Sequence, residues 1–183
     1  MQEIIKAKFK PIGLISTLAV ALAVIGALGQ TAPNAVQAEN ARPGTNAWLI
    51  THPASAADQI EGYASASSVN RGGQVTFYVN TADPSYSLQV FRLGYYGGLG
   101  GRAETASITL PGSLQTVPAP DPTTAIIDCN WTPAYALTTS NPGDSTDWVS
   151  GMYVALLTGT QSGLQTYISF TVRDDSRNSA LLF

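Results

Sequence analysis

The stretch Gln74-Val75-Thr76-Phe77-Tyr78-Val79 decides the fold. Val75, Phe77 and Val79 alternate with Thr76 and Tyr78, the period of two that a strand shows when one face lies on a core. Turn signals bracket it, Asn70-Arg71-Gly72-Gly73 before and Ala82-Asp83-Pro84-Ser85 after. The same grammar repeats downstream. Residues 87–93 read as the next strand, 108–110 as another that ends at Pro111-Gly112, and 125–127 as the start of a further one. Residues 152–157 are almost continuously apolar, as in a strand covered on both faces. Residues 167–172 close the series, with Ile168, Phe170 and Val172 on one side. About seven short strands at this spacing, with no amphipathic helix, predict an all-β protein. Its best fit is an immunoglobulin/fibronectin III-like antiparallel β-sandwich preceded by an N-terminal signal-peptide helix. Eleven prolines argue against long helices. Gly151-Met152-Tyr153 fits a tyrosine corner, in which a hydroxyl ties a late strand to the loop before it.

Composition narrows the setting. The chain has 183 residues, 44% hydrophobic and only 11% charged, with a net charge of −3. So little charge excludes disordered, coiled-coil and long-helix proteins, and the negative sign gives no basis for a nucleic-acid partner. One cysteine excludes an internal disulfide and a multi-cysteine metal site, and one histidine leaves little for His-based chemistry.

Residues 1–38 read as a signal peptide, or as an uncleaved membrane anchor. Lys6, Lys8 and Lys10, the three lysines of the chain, precede an apolar run over 12–28, and Val36-Gln37-Ala38 is a small-residue cleavage pattern before Glu39. Either way the rest is expected to be exported: secreted, periplasmic or cell-surface, with membrane contact only through an uncleaved N-terminal segment. Residues 39–57 read as a linker or N-terminal arm in which Trp48, Leu49 and Ile50 form an apolar cluster; 58–175 is the sandwich domain. After residue 38 the chain carries six arginines against eleven acids, a net of −5.

The most unusual stretch is Gly94-Tyr95-Tyr96-Gly97-Gly98-Leu99-Gly100-Gly101-Arg102. As an anion loop it lacks the Gly-Lys-Ser/Thr ending and a following helix; as a wide turn it needs positive φ at several glycines. Tyr95, Tyr96 and Arg102 are the candidate interface or ligand residues, since tyrosine and arginine suit interfaces. Cys129, Trp131, Trp148 and Tyr153 are read as structural. Cys129 has no nearby base in sequence, and the two tryptophans serve as sandwich anchors ahead of a sugar-stacking platform. Asp174-Asp175 lacks the spacing of a calcium loop, and nothing fixes the separation of Asp144 and Asp147 as an acid–base pair. No catalytic, cofactor-binding or metal-binding residue is assigned.

Several runs together resemble a known family. They are Ile60-Glu61-Gly62-Tyr63-Ala64-Ser65, Ser68-Val69-Asn70-Arg71-Gly72, Phe91-Arg92-Leu93-Gly94-Tyr95-Tyr96-Gly97-Gly98 and Gly100-Gly101-Arg102. Cys129-Asn130-Trp131, Trp148-Val149-Ser150-Gly151-Met152-Tyr153 and the run from Tyr167 to Asp175 continue the series in order. This pattern resembles the non-catalytic, N-terminal β-sandwich region of N,N-dimethylformamidase large (beta) subunit-like proteins. The resemblance implies that a glutamine-amidotransferase-like α/β domain follows, carrying iron-binding Tyr and Glu residues and the amide-hydrolysing chemistry. No position here matches those ligands. Residues 176–183, ending Leu181-Leu182-Phe183, resemble the start of that domain, so the chain is expected to stop before it. The expected function is therefore that of an exported, non-catalytic accessory sandwich whose partner is the catalytic domain or subunit of a larger enzyme. The alternative is an independent extracellular glycan- or protein-binding module. A complete small hydrolase is the weakest reading, because no nucleophile, base and orienting group can be assembled.

Overall fold

The computed structural model describes residues 32–140 and 147–177. The expected signal-peptide helix, Asp144 and the terminal Leu181-Leu182-Phe183 lie outside the described residues. The chain divides into Met1–Pro33 and Asn34–Phe183, and every element named below belongs to the second unit.

Among the described residues a short helix α1 (Ala35–Asn40) is followed by nine strands: β1 (Ile60–Ala64), β2 (Ser68–Asn70), β3 (Gln74–Thr81), β4 (Ser85–Leu93), β5 (Gly101–Ala103), β6 (Ile108–Pro111), β7 (Pro133–Thr138), β8 (Gly151–Gly159) and β9 (Gln165–Arg173). They make two sheets. One has the order β1-β3-β7, the other β2-β9-β8-β4-β5 with β6 also on β4. The all-β sandwich expected from the alternating runs is therefore what the chain forms. Val75, Phe77 and Val79 of β3 are buried against Leu88 and Val90 of β4 and Tyr153, Ala155 and Leu157 of β8. Phe77 and Phe170 bridge the sheets with ring centroids 5.6 Å apart. The tyrosine corner is formed: Tyr153 donates its hydroxyl to the Val149 carbonyl at 2.7 Å in a fully buried setting.

Three details depart from the sequence-based expectation. The pairing is not wholly antiparallel, because β2 runs parallel to β9. β1 stops pairing after Ala64, and the chain crosses over to the second sheet by Ser68. Second, residues 125–127 do not start a strand. The Asp121 carboxylate accepts from the Thr123 and Thr124 amides at 2.9 and 2.7 Å, an Asx-type turn that bends the chain away. Ala125 then takes φ +57°, and Ile126 and Ile127 stay exposed. The strand comes later, as β7. Third, β2 and β5 are too short to show a period: β2 runs into the Asn70-Arg71-Gly72-Gly73 turn signal, β5 lies at the end of the glycine-rich run, and neither is read as a strand from the sequence.

The continuous apolar run of β8 has a clear cause. Tyr153, Ala155 and Leu157 face the inter-sheet core, while Val154 and Leu156 join Phe91 in a second cluster on the other face. Trp48, Ile50 and Tyr167 pack against that second cluster. Residues 34–57 thus lie along the sandwich. The Ile50 amide donates to the Tyr167 hydroxyl at 3.0 Å, and that hydroxyl bonds the Trp48 carbonyl.

Candidate functional site

The glycine-rich run closes the β4–β5 hairpin, in which Leu93 faces Gly101 and Arg92 faces Arg102. The turn is a single 3-10 turn over Tyr96–Gly98, with positive φ at Tyr96 (42°), Gly97 (67°), Gly98 (89°) and Gly100 (81°). Only glycine takes such angles without strain, which explains the composition. Gly101 has a packing reason as well: a Cβ there would stand 2.5 Å from Trp48 Cδ1. Trp48 lies on this hairpin and donates its indole N–H to the Leu99 carbonyl at 3.0 Å.

The turn sends its two tyrosines in opposite directions. Tyr95 is 69% exposed and Tyr96 is 2% exposed. Tyr96 donates its hydroxyl to Glu39 Oε1 at 2.8 Å and accepts from Arg92 Nη1 at 2.9 Å. Arg102 Nε donates to the same Glu39 oxygen at 2.6 Å, and its Nη2 to Glu104 Oε2 at 2.6 Å. Asp147 Oδ1 sits 3.7 Å from Arg102 Nη2 and 3.4 Å from Arg42 Nη1. Arg92, itself buried, also donates to the Val149 and Ser150 carbonyls at 3.3 and 3.1 Å and to Asn40 Oδ1 at 3.3 Å. Three carboxylates and three guanidiniums from α1, the arm, β4, β5 and the segment before β8 thus meet in one place. Among the predicted residues, the structure joins Tyr96 and Arg102 here and turns Tyr95 outward.

Electrostatics follow from that enclosure. Burial raises the Glu104 carboxyl to about 7, with the Arg102 charge pulling it back and Asp147 pushing it further up. Burial would lower the Arg102 guanidinium, but Glu104 and Glu39 outweigh it and hold it above its ordinary value. A carboxyl near neutrality is the usual mark of an acid–base group. Glu104 is spent otherwise: its side chain is fully covered, Oε2 is held by Arg102, and Oε1 accepts from the Trp148 amide at 3.2 Å. The arrangement pins α1 and the arm to the hairpin and offers a substrate no approach to the carboxyl. Removing one member of such a buried set costs roughly 3–5 kcal/mol, because its partner is left charged and unpaired.

The remaining predicted residues lie elsewhere. Trp148 and Tyr153 stack in the core at 5.2 Å. Trp131 is buried against Tyr63, whose hydroxyl donates to the Cys129 carbonyl at 2.9 Å, and Cys129 is a free, half-buried thiol. His52 is exposed, its Nδ1 beside Thr51 Oγ1. Asp174 pairs with Arg177, and Asp175 with Arg173. Among the described residues no group of three His, Cys, Asp or Glu is arranged to hold a metal. At the carboxylate cluster, the Arg102 guanidinium occupies the place a cation would need. Among the described residues, this cluster therefore does not fit the iron that the resemblance implies for a catalytic region.

A protein-family model described as N,N-dimethylformamidase beta subunit-like, C-terminal, matches residues 87–183, more than half of the chain. The chain belongs to this family. The match to the dimethylformamidase beta subunit-like model starts inside β4 and takes in the glycine-rich hairpin, Arg92, Arg102, Glu104 and Asp147, whereas β1–β3 and the arm precede it. No curated protein matches the chain. Among solved structures, the Pseudomonas fluorescens alkylpurine DNA glycosylase AlkC, bound to DNA containing an abasic-site analogue, is similar over 63% of this chain and 30% of that one. The identity is 11% and the TM-score 0.36, and the chain spans less than a third of that protein's length.

Proposed function

We propose that this chain is an exported, non-catalytic, immunoglobulin-type sandwich of a dimethylformamidase-like amidohydrolase, and that it holds the catalytic domain or subunit of that enzyme. The observation that carries this is the family match over 87–183. The strand order supports the sandwich type, with the first strand on β3 and the next running parallel to the last. The non-catalytic role is supported by the use of the buried acids, which serve to pin the arm. Iron, in this reading, belongs to the catalytic partner. Export is supported by the basic, apolar and small-residue order of 1–38.

The docking surface we assign is the outer side of the glycine-rich hairpin. Tyr95 and Leu99 stand exposed on a turn whose backbone is stiffened from within, beside an open groove of about 520 Å³ lined by Asn40, Pro43, Gly44 and Tyr96. A rigid aromatic anchor is the kind of residue that dominates interfaces. The test mixes the full chain with a catalytic subunit of the same family and measures association and turnover of N,N-dimethylformamide with added iron. Association that Tyr95→Ala weakens, with no turnover by the chain alone, supports the assignment. Turnover by the chain alone overturns it. Failure to associate, together with specific retention on a glycan array, favours the independent binding module.

A further inference from the structure

Between β6 and β7, residues 112–132 lie outside any strand. That is well beyond the roughly 12–15 residues at which an unstructured connection in a compact domain calls for a function. The loop is nevertheless built. At its base the Gln115 amide donates to Asn80 Oδ1 at 2.7 Å, and the Gln115 side chain exchanges bonds with the Thr132 backbone at 2.9 and 3.1 Å. The Trp131 indole N–H donates to the Thr116 carbonyl at 3.1 Å. At its tip the Asp121 amide donates to the Ile126 carbonyl at 2.9 Å, across the Asx-type turn. Two limbs, closed at both ends, thus form one arm clamped on β3. We propose that this arm is a docking site for a basic, apolar peptide segment of a protein partner.

The apolar half of that chemistry comes from Leu114, Val117, Ile126 and Ile127, which are 47–62% exposed. Single apolar side chains on a surface need no explanation, but four on one arm do. Pro118, Pro120 and Pro122 deprive the outgoing limb of three N–H donors and fix its φ, which disfavours an added strand and leaves the side chains to make the contact. A stiffened limb also loses less freedom on binding. The basic half follows from charge. Residues 103–172 contain five acids and no Lys, Arg or His. Asp121 stands at the tip and Asp128 on the returning limb, both exposed. Asp58 and Glu61 lie at the base, where they accept from the Asn80 side-chain amide at 2.9 and 2.7 Å. A cationic partner meets that field favourably, whereas a second copy of this chain or an anionic lipid surface carries the same sign. The arm hangs from the β1-β3-β7 sheet and the glycine-rich hairpin from the other, so this site stands apart from the docking role proposed above.

The experiment uses the full chain in phosphatidylcholine nanodiscs, with empty nanodiscs as the blank. It measures the fluorescence anisotropy of three labelled peptides, which alternate leucine with lysine, leucine with glutamate, and serine with lysine. The leucine–lysine peptide is expected to bind at least about tenfold more tightly than either of the others. Ile126→Ser combined with Ile127→Ser is expected to weaken it by about tenfold while the melting temperature holds, because both side chains are already exposed. Asp128→Asn is expected to weaken it about two- to fivefold and to flatten its salt dependence. The proposal is overturned if the leucine–lysine peptide does not bind at about 1 mM, if either control peptide binds as well, or if either variant keeps wild-type affinity. It is also overturned if the chain self-associates and the double variant does not, since the occupant is then a second copy.

Discussion

Glu104→Gln keeps the shape of a fully covered side chain and removes its titration. Burial, opposed by Arg102 and reinforced by Asp147, moves the carboxyl from 4.5 to about 7. Each pH unit of displacement is worth about 1.4 kcal/mol, so the displacement corresponds to about 3 kcal/mol. The sign follows from linkage. A folded-state value above the unfolded one gives a stability contribution that is fully present below the unfolded value and lost as pH rises through the folded value. For Glu104 that loss begins above 4.5 and is complete somewhat above pH 7. Glutamine has no such loss. The stability of the variant minus that of the wild type should therefore rise by about 3 kcal/mol between about pH 4.5 and about pH 8. The altered bond to Arg102 adds a constant offset, so the slope is the observable. Taking the difference also cancels the other titrating groups. The assay is urea unfolding of both proteins across that pH range, with free energies compared at each pH. A difference that stays flat, or falls with pH, would show that Arg102 compensates the ionised carboxyl fully and that enclosure costs it nothing.

Tyr153→Phe removes the buried bond to the Val149 carbonyl and should cost about 1–3 kcal/mol in urea unfolding, since the carbonyl is left without its donor. Gly101→Ala places a Cβ 2.5 Å from Trp48 Cδ1. It should displace the indole, shift tryptophan fluorescence towards that of an exposed ring, and destabilise by about 1–3 kcal/mol. Asp83 accepts from the Gln161 and Ser162 amides and the Ser162 hydroxyl, and these bonds, the Ser162 amide's above all, hold its carboxyl below the ordinary range against the opposing effect of burial. Its contribution is present above the ordinary carboxyl value and is lost as pH falls through the lower folded one. Asp83→Asn should thus cost stability at neutral pH, and acid titration should bring the two proteins together.

What could be read from the sequence, and what could not, divides along a physical line. Val75, Phe77 and Val79 announce their strand because burial of one face imposes a period of two on neighbouring residues. Residues 152–157 announce a second covered face for the same reason, although nothing in them names the cover. That cover is Trp48 and Ile50, in a segment whose Ala, Pro, Asn and Ser content reads as a linker. The charged cluster is harder still to see. Glu39 reads as the residue after a cleavage pattern, and its partners Tyr96 and Arg102 lie 57 and 63 residues further on. Pairing at such a distance leaves no period, because it depends on which loops the sheets bring together. One signal was nevertheless present. Arg92 stands next to Val90 and Phe91 in the most buried part of its strand, and a charge at such a place must find partners or unfold the strand. Of the six arginines after residue 38, three serve this cluster. In a domain so poor in charge, an arginine inside an apolar strand is better evidence of a buried polar network than the glycines beside it are of a ligand loop. The glycines answer to the tightness of the turn and to Trp48; the arginine can be explained only by the oxygens that surround it.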